Sequence, residues 1–372
     1  RVDGVLQEHV IDGRSVSNAL VTRIKLMSGL DISEKRLPQD GRFSIRVNAS
    51  AIDVRVSTLP VQHGESMVLR LLDQSTNLVS LEKLGMPPEI RERFAAMIEQ
   101  PAGMVLVTGP TGSGKTTTLY SALDRVNHPT NKIITVEDPV EYRLDRINQV
   151  QVNAHIGLDF ARVLRTALRQ DPDIILVGEM RDQETVDIGL RAAMTGHLVF
   201  STLHTVSAVA TVSRLREMGA PGYLLAAALN GIIAQRLVRR ICDSCKERVE
   251  MSPGQRAWLN AQVGIERGKA IKFVRGRGCN HCLLTGYRGR IGVYELLEMD
   301  SRLTGAIQRE DLDEFQIAAE QKKSYVPLGR RALDYAIAGV TSLDEVMRIT
   351  GGLDEEIEPT AFDQFASAEP AP

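Results

Sequence analysis

Cysteine, aromatic residues, long apolar runs and net charge are all scarce in this 372-residue chain. The four cysteines are too few for a disulfide framework in a chain of this size. No apolar run approaches the ~18 residues of a membrane-spanning helix, and the N-terminus lacks the apolar core of a signal peptide. The net charge of −2 gives no sign of a general affinity for nucleic acid. These absences predict a cytoplasmic protein.

Four short apolar runs stand out in the middle of the chain, separated by predicted helices at 116–127, 161–169 and 184–194. The runs are MVLVTG (104–109), KIITVED (132–138), DIILVGE (173–179) and HLVFSTLH (197–204). Apolar runs that alternate with helices predict a mostly parallel sheet covered on both faces. Each run ends in polar residues, and ligands bind beyond the carboxyl ends of such strands. The functional site is therefore expected at that edge.

The flanking regions have different patterns. Residues 1–75 predict a small α+β unit, in which Val16, Leu20, Ile24 and Met27 recur at helical spacing before Gly29. The segments RFSIRVN, DVRVS and SMVLRLL predict strands, and PVQHGES predicts a loop between the last two. Residues 300–350 are expected to be helical, and the acidic, Ala- and Pro-rich tail from Glu355 is expected to be disordered.

The segment GPTGSGKT predicts a phosphate-binding loop, because it fits G-x-x-x-x-G-K-[ST] between a strand and a helix. Its glycines let backbone N–H groups turn toward phosphate oxygens, and the helix N-terminus adds its dipole. Lys115 is expected to reach the β- and γ-phosphates, and the Thr116 hydroxyl to bind Mg²⁺. The predicted nucleotide-binding residues are Gly109, Pro110, Thr111, Gly112, Ser113, Gly114, Lys115, Thr116 and Thr117.

The other runs end in candidates for catalysis. Glu179 follows the third run and is predicted to polarise the attacking water or to help hold the metal shell. Glu137 and Asp138 end the second run and are further candidates for positioning metal and water. His204 ends the fourth run and could sense the γ-phosphate. The alternatives are a solvated glutamate, a hydrated acidic loop and a structural histidine. A lone histidine is more often structural, so His197 by itself carries little weight.

The cysteines form two Cys-x-x-Cys pairs, Cys242/Cys245 and Cys279/Cys282. Thiolates at this spacing can fold onto one tetrahedral Zn²⁺ in a closed structural site. The alternatives are redox chemistry at one pair and four inert buried thiols. His281 could replace one thiolate. A zinc ion would stand in for the hydrophobic core that so small a segment cannot build.

Longer stretches around these motifs resemble those of the type II secretion and type IV pilus ATPases. GPTGSGKTTTLY, ITVEDPVEY, RQDPDIILVGEMRD and TGHLVFSTLHT look like the family's Walker A, Asp-box, Walker B and His-box motifs, in the same order and spacing. LMSGLDISEKRLPQDGR and DVRVSTLP resemble the domain that precedes the motor. The likeness covers residues 1–350. Val206 is a departure, because the family usually has a polar residue after the His box.

The resemblance implies an α/β fold with a RecA-like P-loop NTPase core, a preceding small α+β domain, a zinc-binding insertion and a helical C-terminal part. The predicted boundaries are 1–78 for the first domain, 79–88 for a linker, 89–237 for the core, 238–292 for the tetracysteine zinc subdomain, 293–354 for the helical part and 355–372 for a disordered tail. The family's leading partner-binding domain is missing, so we expect a fragment of a longer protein.

The resemblance also implies function. It predicts a homohexameric motor that hydrolyses ATP with Mg²⁺ at the cytoplasmic face of the bacterial inner membrane, with secretion or pilus platform proteins as partners and no nucleic acid. Lys115 and Thr116 match the Walker A pair, and Glu179 matches the Walker B glutamate. Glu137 and Asp138 match the Asp box, and His204 matches the His box. Arg55 and Arg70 match two arginines of the preceding domain that reach toward a γ-phosphate in this family. Secretion and pilus-extension members carry the tetracysteine module, whereas retraction members lack it.

Two other functions stay open from the sequence alone. One is a nucleic-acid translocase of RecA-like type, which the basic residues near the cysteines would suit. The small share of aromatic residues, 4%, argues against that reading. The other is a scaffold that binds ATP with little turnover. Type II secretion and pilus extension are not separated by the sequence.

Overall fold

A computed structural model describes residues 3–6, 8–10, 14–48, 50–73 and 78–351 of the chain. The chain divides into two compact units. The first comprises Arg1–Leu78 with Val140–Arg143, and the second comprises Val79–Pro139 with Leu144–Pro372. The tail predicted to be disordered lies outside the described residues. Within the described ranges, every helix is too short or too polar to cross a bilayer.

The first unit packs one helix with a three-stranded antiparallel sheet of order β1-β2-β3. Its elements are α1 (Arg14–Met27), β1 (Gln39–Val47), β2 (Ser50–Val61) and β3 (Gly64–Asp73). The predicted helix and all three predicted strands are confirmed. The predicted loop PVQHGES is wrong in extent, because β2 and β3 pair up to Val61 and Gly64 and leave only a tight turn.

The buried side of α1 differs from the predicted apolar face. Val16 and Leu20 are 46% and 49% exposed, whereas Lys25 is 1% exposed. The Lys25 ammonium pairs with the buried carboxylate of Glu65 and donates a hydrogen bond to Glu34 O at 2.7 Å. On its buried side α1 therefore carries a lysine whose charge is paired and hydrogen-bonded. The spacing of apolar residues cannot reveal such a residue.

The second unit is built on a seven-stranded sheet of order β12-β9-β4-β8-β7-β5-β6. Only the β12–β9 pair is antiparallel, and the remaining pairs are parallel. All residues of β4, β5, β7 and β8 are buried, as expected for strands covered on both faces. The strands are β4 (Gly103–Thr108), β5 (Ile133–Glu137), β6 (Asn148–Gln151), β7 (Ile174–Val177), β8 (Leu198–Leu203), β9 (Leu229–Ile241), β10 (Lys246–Val249), β11 (Phe273–Gly276) and β12 (Tyr287–Glu298).

Helices alternate with the parallel strands and then form the C-terminal part. Seven of the helices named below begin at side-chain caps. Among these caps, Asp159, Asp182 and Ser207 accept hydrogen bonds from backbone N–H groups of the first turn. The helices are α2 (Pro88–Ile98), α3 (Lys115–Val126), α4 (Phe160–Ala167), α5 (Gln183–Met194), α6 (Ala208–Glu217), α7 (Gly222–Ala228), α8 (Pro253–Val263), α9 (Ile265–Ala270), α10 (Ser301–Gln308), α11 (Leu312–Glu320), α12 (Leu328–Ile337) and α13 (Leu343–Thr350).

Strands β9 and β12 form a long hairpin that sequence analysis did not predict. The segment between them, residues 242–286, carries all four cysteines and is called the cysteine module below. It holds α8, α9 and the small β10–β11 sheet. The ends of the predicted zinc subdomain, 238 and 292, lie inside β9 and β12. The predicted boundaries stay predictions.

Candidate nucleotide site and cysteine cluster

The glycines of the loop between β4 and α3 are required by its backbone. Gly109, Gly112 and Gly114 have φ values of 147°, 80° and 92°, in the left-handed region that side chains disfavour. A Cβ atom on Gly109 would stand 2.4 Å from Gln235 O. The loop therefore takes a tight path that only glycine allows, and this leaves backbone N–H groups available for an anion.

Two groups of the loop fit a bound phosphate. The Lys115 ammonium donates hydrogen bonds to Gly109 O at 2.6 Å and Pro110 O at 3.2 Å, back into its own loop. Burial lowers the pKa of Lys115 to about 8, with Arg236 acting in the same direction and Glu179 opposing it. The Ser113 hydroxyl is buried without a hydrogen-bond partner. Phosphate oxygens would satisfy both groups, and the exposed Thr116 in the first turn of α3 is available to a metal ion.

Gln235 holds the loop from β9, and sequence analysis missed it. Its side-chain amide donates a hydrogen bond to Ser113 O at 2.8 Å, and the residue is 1% exposed. The signal that could have identified it is the polar pair Gln235–Arg236, which follows an apolar run as the other site residues do.

The carboxyl ends of β5, β7 and β8 bring together three of the predicted catalytic residues. His204 Nε2 lies 3.6 Å from Glu179 Oε2, and the Arg181 guanidinium pairs with Glu179 Oε1. Arg181 Nη1 lies 3.7 Å from Asp138 Oδ2. Arg181 was also missed from the sequence, although it stands two residues after Glu179. The cluster is a carboxylate between a guanidinium and an imidazole, at the edge where the phosphate loop begins.

Gly178 determines the path of the backbone directly before Glu179. Its N–H donates a hydrogen bond to Val136 O at 2.7 Å, and a Cβ atom there would stand 3.1 Å from the same oxygen. The backbone after β7 thus stays close to β5. This close approach gives a structural reason for a glycine directly before Glu179.

Glu137 is turned into the protein interior. It is 4% exposed, and its carboxylate accepts hydrogen bonds from Tyr120 Oη, Thr135 Oγ1 and Gln149 Nε2. Asp138, the next residue, is exposed. The two acidic residues of the pair therefore differ in environment, and Asp138 is the one that the structure brings to the Arg181–Glu179 cluster.

The two histidines of the fourth apolar run also differ in environment. His204 has a half-exposed side chain beside Glu179. His197 lies at the other end of β8, where its Nδ1 is 3.0 Å from Ala192 O. Val206 after the His box is exposed, and its carbonyl accepts a hydrogen bond from Arg236 Nη2 at 2.9 Å. That contact uses the backbone, so it does not depend on the unusual side chain.

The two predicted arginines lie in the first unit. Arg55 on β2 and Arg70 on β3 stand directly opposite each other, and Arg42 on β1 is opposite Arg55. Directly opposed residues share one face of a sheet. Arg55 Nη2 donates a hydrogen bond to Val140 O at 2.8 Å, and Nη1 lies 3.1 Å from Glu141 Oε2. Their role at a phosphate stays a prediction.

The four cysteine thiols form one cluster. Their sulfur atoms all lie within 4.8 Å of one another, with separations of 3.9 Å for Cys242–Cys279, 3.8 Å for Cys245–Cys282 and 3.7 Å for Cys279–Cys282. Four thiolates bound ~2.3 Å from a tetrahedral zinc ion stand ~3.8 Å apart. The donor set therefore fits Zn²⁺ in both chemistry and spacing. His281 is exposed and does not belong to the cluster.

Backbone N–H groups donate hydrogen bonds to two of the sulfur atoms, those of Cys245 and Cys282. Gly278 N donates to Cys245 Sγ at 3.3 Å, and the N atoms of Cys279 and Gly286 each donate to Cys282 Sγ at 3.2 Å. Burial acts to raise the pKa of Cys282, but these two N–H donors and the neighbouring thiols lower it to about 6. At Cys245 burial raises the pKa to about 11 even though the Gly278 N–H opposes it, so the donors favour the thiolate form that a metal requires most clearly at Cys282.

The comparisons with known proteins agree with this geometry. The family model described as "Type II/IV secretion system protein" matches residues 1–348. The chain is 49% identical to the type II secretion system protein E of Pectobacterium carotovorum over 350 residues, which is 94% of this chain and 69% of that protein. It is 47% identical to the type II secretion system ATPase E of Vibrio cholerae over 351 residues, with the same shares covered.

Solved structures give the same picture. The pilus retraction motor PilT with bound ADP is 30% identical, with a TM-score of 0.61 over 84% of this chain and 78% of that one. The Legionella pneumophila ATPase DotB has a TM-score of 0.63 over 85% and 78% of the chains. At 22% identity, DotB supports the fold alone. The predicted fold class and the predicted ATP hydrolase activity are confirmed, and the chain belongs to the Type II/IV secretion system protein family.

Proposed function

We propose that this secretion ATPase is the motor that powers type II protein secretion, with pilus assembly as the related alternative. The observation that carries the proposal is the cluster of Asp138, Arg181, Glu179 and His204 at the sheet edge where the phosphate loop begins. The relatives named for type II secretion, at 47–49% identity, favour secretion over pilus assembly. The nucleotide is ATP, and the exposed Thr116 hydroxyl would hold Mg²⁺.

The chain's own residues divide the work of hydrolysis. The backbone N–H groups of Gly112, Gly114, Lys115 and Thr116 and the Lys115 ammonium bind and orient the phosphates, because they are fixed donors at the N-terminus of α3. The Glu179 carboxylate accepts a proton from the attacking water and holds that water in line with the phosphorus–oxygen bond that breaks. His204 lies on the other side of that carboxylate and orients it. Magnesium, when bound, supplies positive charge beside the phosphate oxygens.

Arg181 pairs with the Glu179 carboxylate in the nucleotide-free protein. Its pairing with Glu179 raises the pKa of Arg181, with Asp138 adding to the effect. The guanidinium therefore stays charged and remains paired with one oxygen of the Glu179 carboxylate.

We further propose a homohexamer at the cytoplasmic face of the inner membrane, with membrane platform proteins as partners. Arg55 and Arg70 would complete the site of a neighbouring subunit, where a guanidinium offsets charge that develops on the phosphate. The Cys242, Cys245, Cys279 and Cys282 thiolates would hold a structural Zn²⁺, which would keep the cysteine module rigid enough to pass movement to a partner.

The test is phosphate release by the wild type and by Glu179→Gln, with nucleotide affinity measured on the same samples. Loss of the proton acceptor should lower kcat by about a hundredfold or more while affinity is retained. Glu217→Gln, at an exposed glutamate of α6, is the matched control and should keep full activity. Unchanged turnover in Glu179→Gln would remove the proposed role of Glu179.

Sedimentation with a non-hydrolysable ATP analogue tests the oligomer. We expect an assembly of about six chains, since symmetric rings close by repeating one interface. A strict monomer at high concentration would contradict it. Single-stranded DNA should leave the turnover unchanged, and a salt-dependent stimulation by DNA would favour a nucleic-acid translocase instead.

A further inference from the structure

Glu295 is a fully buried acidic residue on β12, at 0% exposed. A buried carboxylate is costly unless its oxygens receive hydrogen bonds, so its partners show what the residue is for. Burial raises the pKa of Glu295, while its hydrogen-bond donors and the charge of Arg236 act in the opposite direction. The residue stands on the hairpin that also carries Gln235 and Arg236, the two contacts to the nucleotide edge.

The carboxylate joins the starts of two helices. Oε1 accepts hydrogen bonds from Ala208 N at 2.7 Å and from Tyr325 Oη at 2.7 Å. Oε2 accepts one from Leu328 N at 2.9 Å. Ala208 is the first residue of α6 and Leu328 the first residue of α12. Helix N-termini carry unpaired N–H groups and favour negative charge, so one carboxylate serves both ends.

The start of α6 leads directly into the nucleotide site. Residues 205–207 are all that separate His204 from Ala208. Thr205 N donates to Thr108 Oγ1 at 3.1 Å, and Thr108 is the last residue of β4 before the phosphate loop. The carbonyl of Val206 accepts from Arg236 Nη2 at 2.9 Å. The segment is thus held by β4, by β9 and, through Ala208, by Glu295.

We infer that Glu295 is a positioning residue for ATP hydrolysis, which fixes the segment after His204 and so keeps His204 beside Glu179. The inference rests on the proposed function of Glu179 and His204. It adds a residue that touches neither nucleotide nor reacting water and acts through the start of α6. Because the same carboxylate holds Tyr325 and the start of α12, the C-terminal helices bear on the geometry of the site.

Glutamine cannot replace Glu295, although it has the same shape. Each carboxylate oxygen faces a backbone N–H group, one from Ala208 and one from Leu328. A glutamine has one acceptor oxygen, so its NH₂ group would meet one of the two N–H donors and leave it unpaired. One helix start would then shift or lose its partner.

The experiment measures kcat and KM for ATP in Glu295→Gln, together with its thermal unfolding temperature. The phosphate loop keeps its own contacts, so KM should stay within about threefold while kcat falls at least about tenfold. Glu345→Gln is the matched control, because Glu345 is 1% exposed and joins α13 to Arg239 of the same hairpin. That variant should lose thermal stability but keep kcat within about twofold of the wild type.

The outcomes separate the inference from the proposed function. Suppose that the wild type hydrolyses ATP. If Glu295→Gln then has the kcat of the wild type, or a loss of kcat no larger than that of Glu345→Gln, the inference alone is overturned. A wild type that does not hydrolyse ATP would contradict both the inference and the proposed function. If Glu295→Gln does not fold, Tyr325→Phe decides, because it removes one donor to Oε1 and leaves both backbone contacts. We expect its kcat to fall about two- to threefold at constant KM, and an unchanged kcat would overturn the inference.

Discussion

The two ends of the β9–β12 hairpin differ in what their surroundings bury. Toward the nucleotide edge, the hairpin joins a sheet whose strands β4, β5, β7 and β8 are buried along their whole length. At the other end, the cysteine module buries few large apolar side chains, among them Leu259, Val263 and Phe273, and gathers four thiols. The sheet gains stability from apolar burial, whereas we expect the module to depend on a metal bound by its thiols.

From this difference we expect the sheet to fold without a metal and the fold of the cysteine module to depend on one. The phosphate loop is held by glycine geometry, by Gln235 and by neighbouring strands. In the module, Leu283 and Leu284 are exposed and have backbone φ angles in the left-handed region. The turn that contains Cys279 and Cys282 must hold them in that conformation. We therefore expect the two regions to respond to different perturbations.

The largest effect should follow from removing the zinc ligands with the double substitution Cys245→Ser and Cys282→Ser. Structural zinc contributes about 10 kcal/mol or more to the folding of small domains, so the module should lose its fold while the sheet keeps its own. Hydrogen exchange should show residues 242–286 losing protection and β4 keeping it, with metal analysis falling from about one zinc per chain to none.

His281→Ala is the control for that experiment, since the exposed imidazole stands next to the cluster without belonging to it. It should keep its zinc and its protection. A double serine variant that loses zinc and yet protects the module as the wild type does would contradict the comparison between the two regions.

The next largest effect is expected for Lys115→Ala. The ammonium is the half-buried cation of the phosphate loop, so its loss should lower kcat/KM for ATP about a thousandfold. The zinc content should not change, because the module is stabilised separately. Lys83→Ala, at an exposed lysine, serves as the control in the same phosphate-release assay. Turnover within tenfold of the wild type would show that the loop is not the phosphate site.

A smaller effect is expected from pH. Burial lowers the pKa of Lys115 to about 8 in the free protein, and phosphate oxygens would raise it again in the complex. Binding then takes up a proton above pH 8. Nucleotide affinity should be full below about pH 8 and fall by up to about tenfold per pH unit above it, until the pKa of the complex is reached. Titration with a fluorescent nucleotide between about pH 7 and 9.5 measures this dependence.

Lys115→Arg is the control for the pH experiment, because a guanidinium stays charged over the whole range. Its affinity, whatever its absolute value, should be flat where that of the wild type falls. A wild-type affinity that does not change between about pH 7 and 9.5 would contradict the lowered pKa of Lys115.

The smallest effect is expected for Gln235→Ala. The substitution removes the donor to Ser113 O and leaves that carbonyl without its amide partner, at a cost of about 1–2 kcal/mol. We expect KM for ATP to rise about five- to thirtyfold, since the loop loses order and Lys115 remains. Asn230→Ala, whose amide donates to Ala102 O at the opposite edge of the sheet, should leave KM unchanged. Equal KM values in the two variants would exclude this role for Gln235.

The sequence predicted those parts of the fold and site that depend on local pattern. The apolar runs before Gly109, Glu137, Glu179 and His204 are strands of one sheet, and the rule that ligands bind at strand ends correctly located the polar cluster. The two cysteine pairs were found by spacing alone, and their sulfur atoms lie together.

What the sequence did not predict depends on contacts between distant residues. Strands β9 and β12 pair across the whole cysteine module, so no local turn marks the hairpin. Glu137 looked like Asp138 in the sequence, but its hydrogen bond with Gln149 comes from a residue further along the chain. Glu295 stands alone in the apolar run VYELL, and only the fold shows that Ala208 and Leu328 start helices on either side of it.

The most direct test of the account is the structure of this chain with Mg²⁺ and a non-hydrolysable ATP analogue. We predict that the backbone N–H groups of Gly112, Gly114, Lys115 and Thr116 hold the phosphates. We also predict that the Glu179 carboxylate lies within one water of the terminal phosphorus. An analogue bound elsewhere, or a Glu179 side chain turned away from the terminal phosphate, would contradict the account.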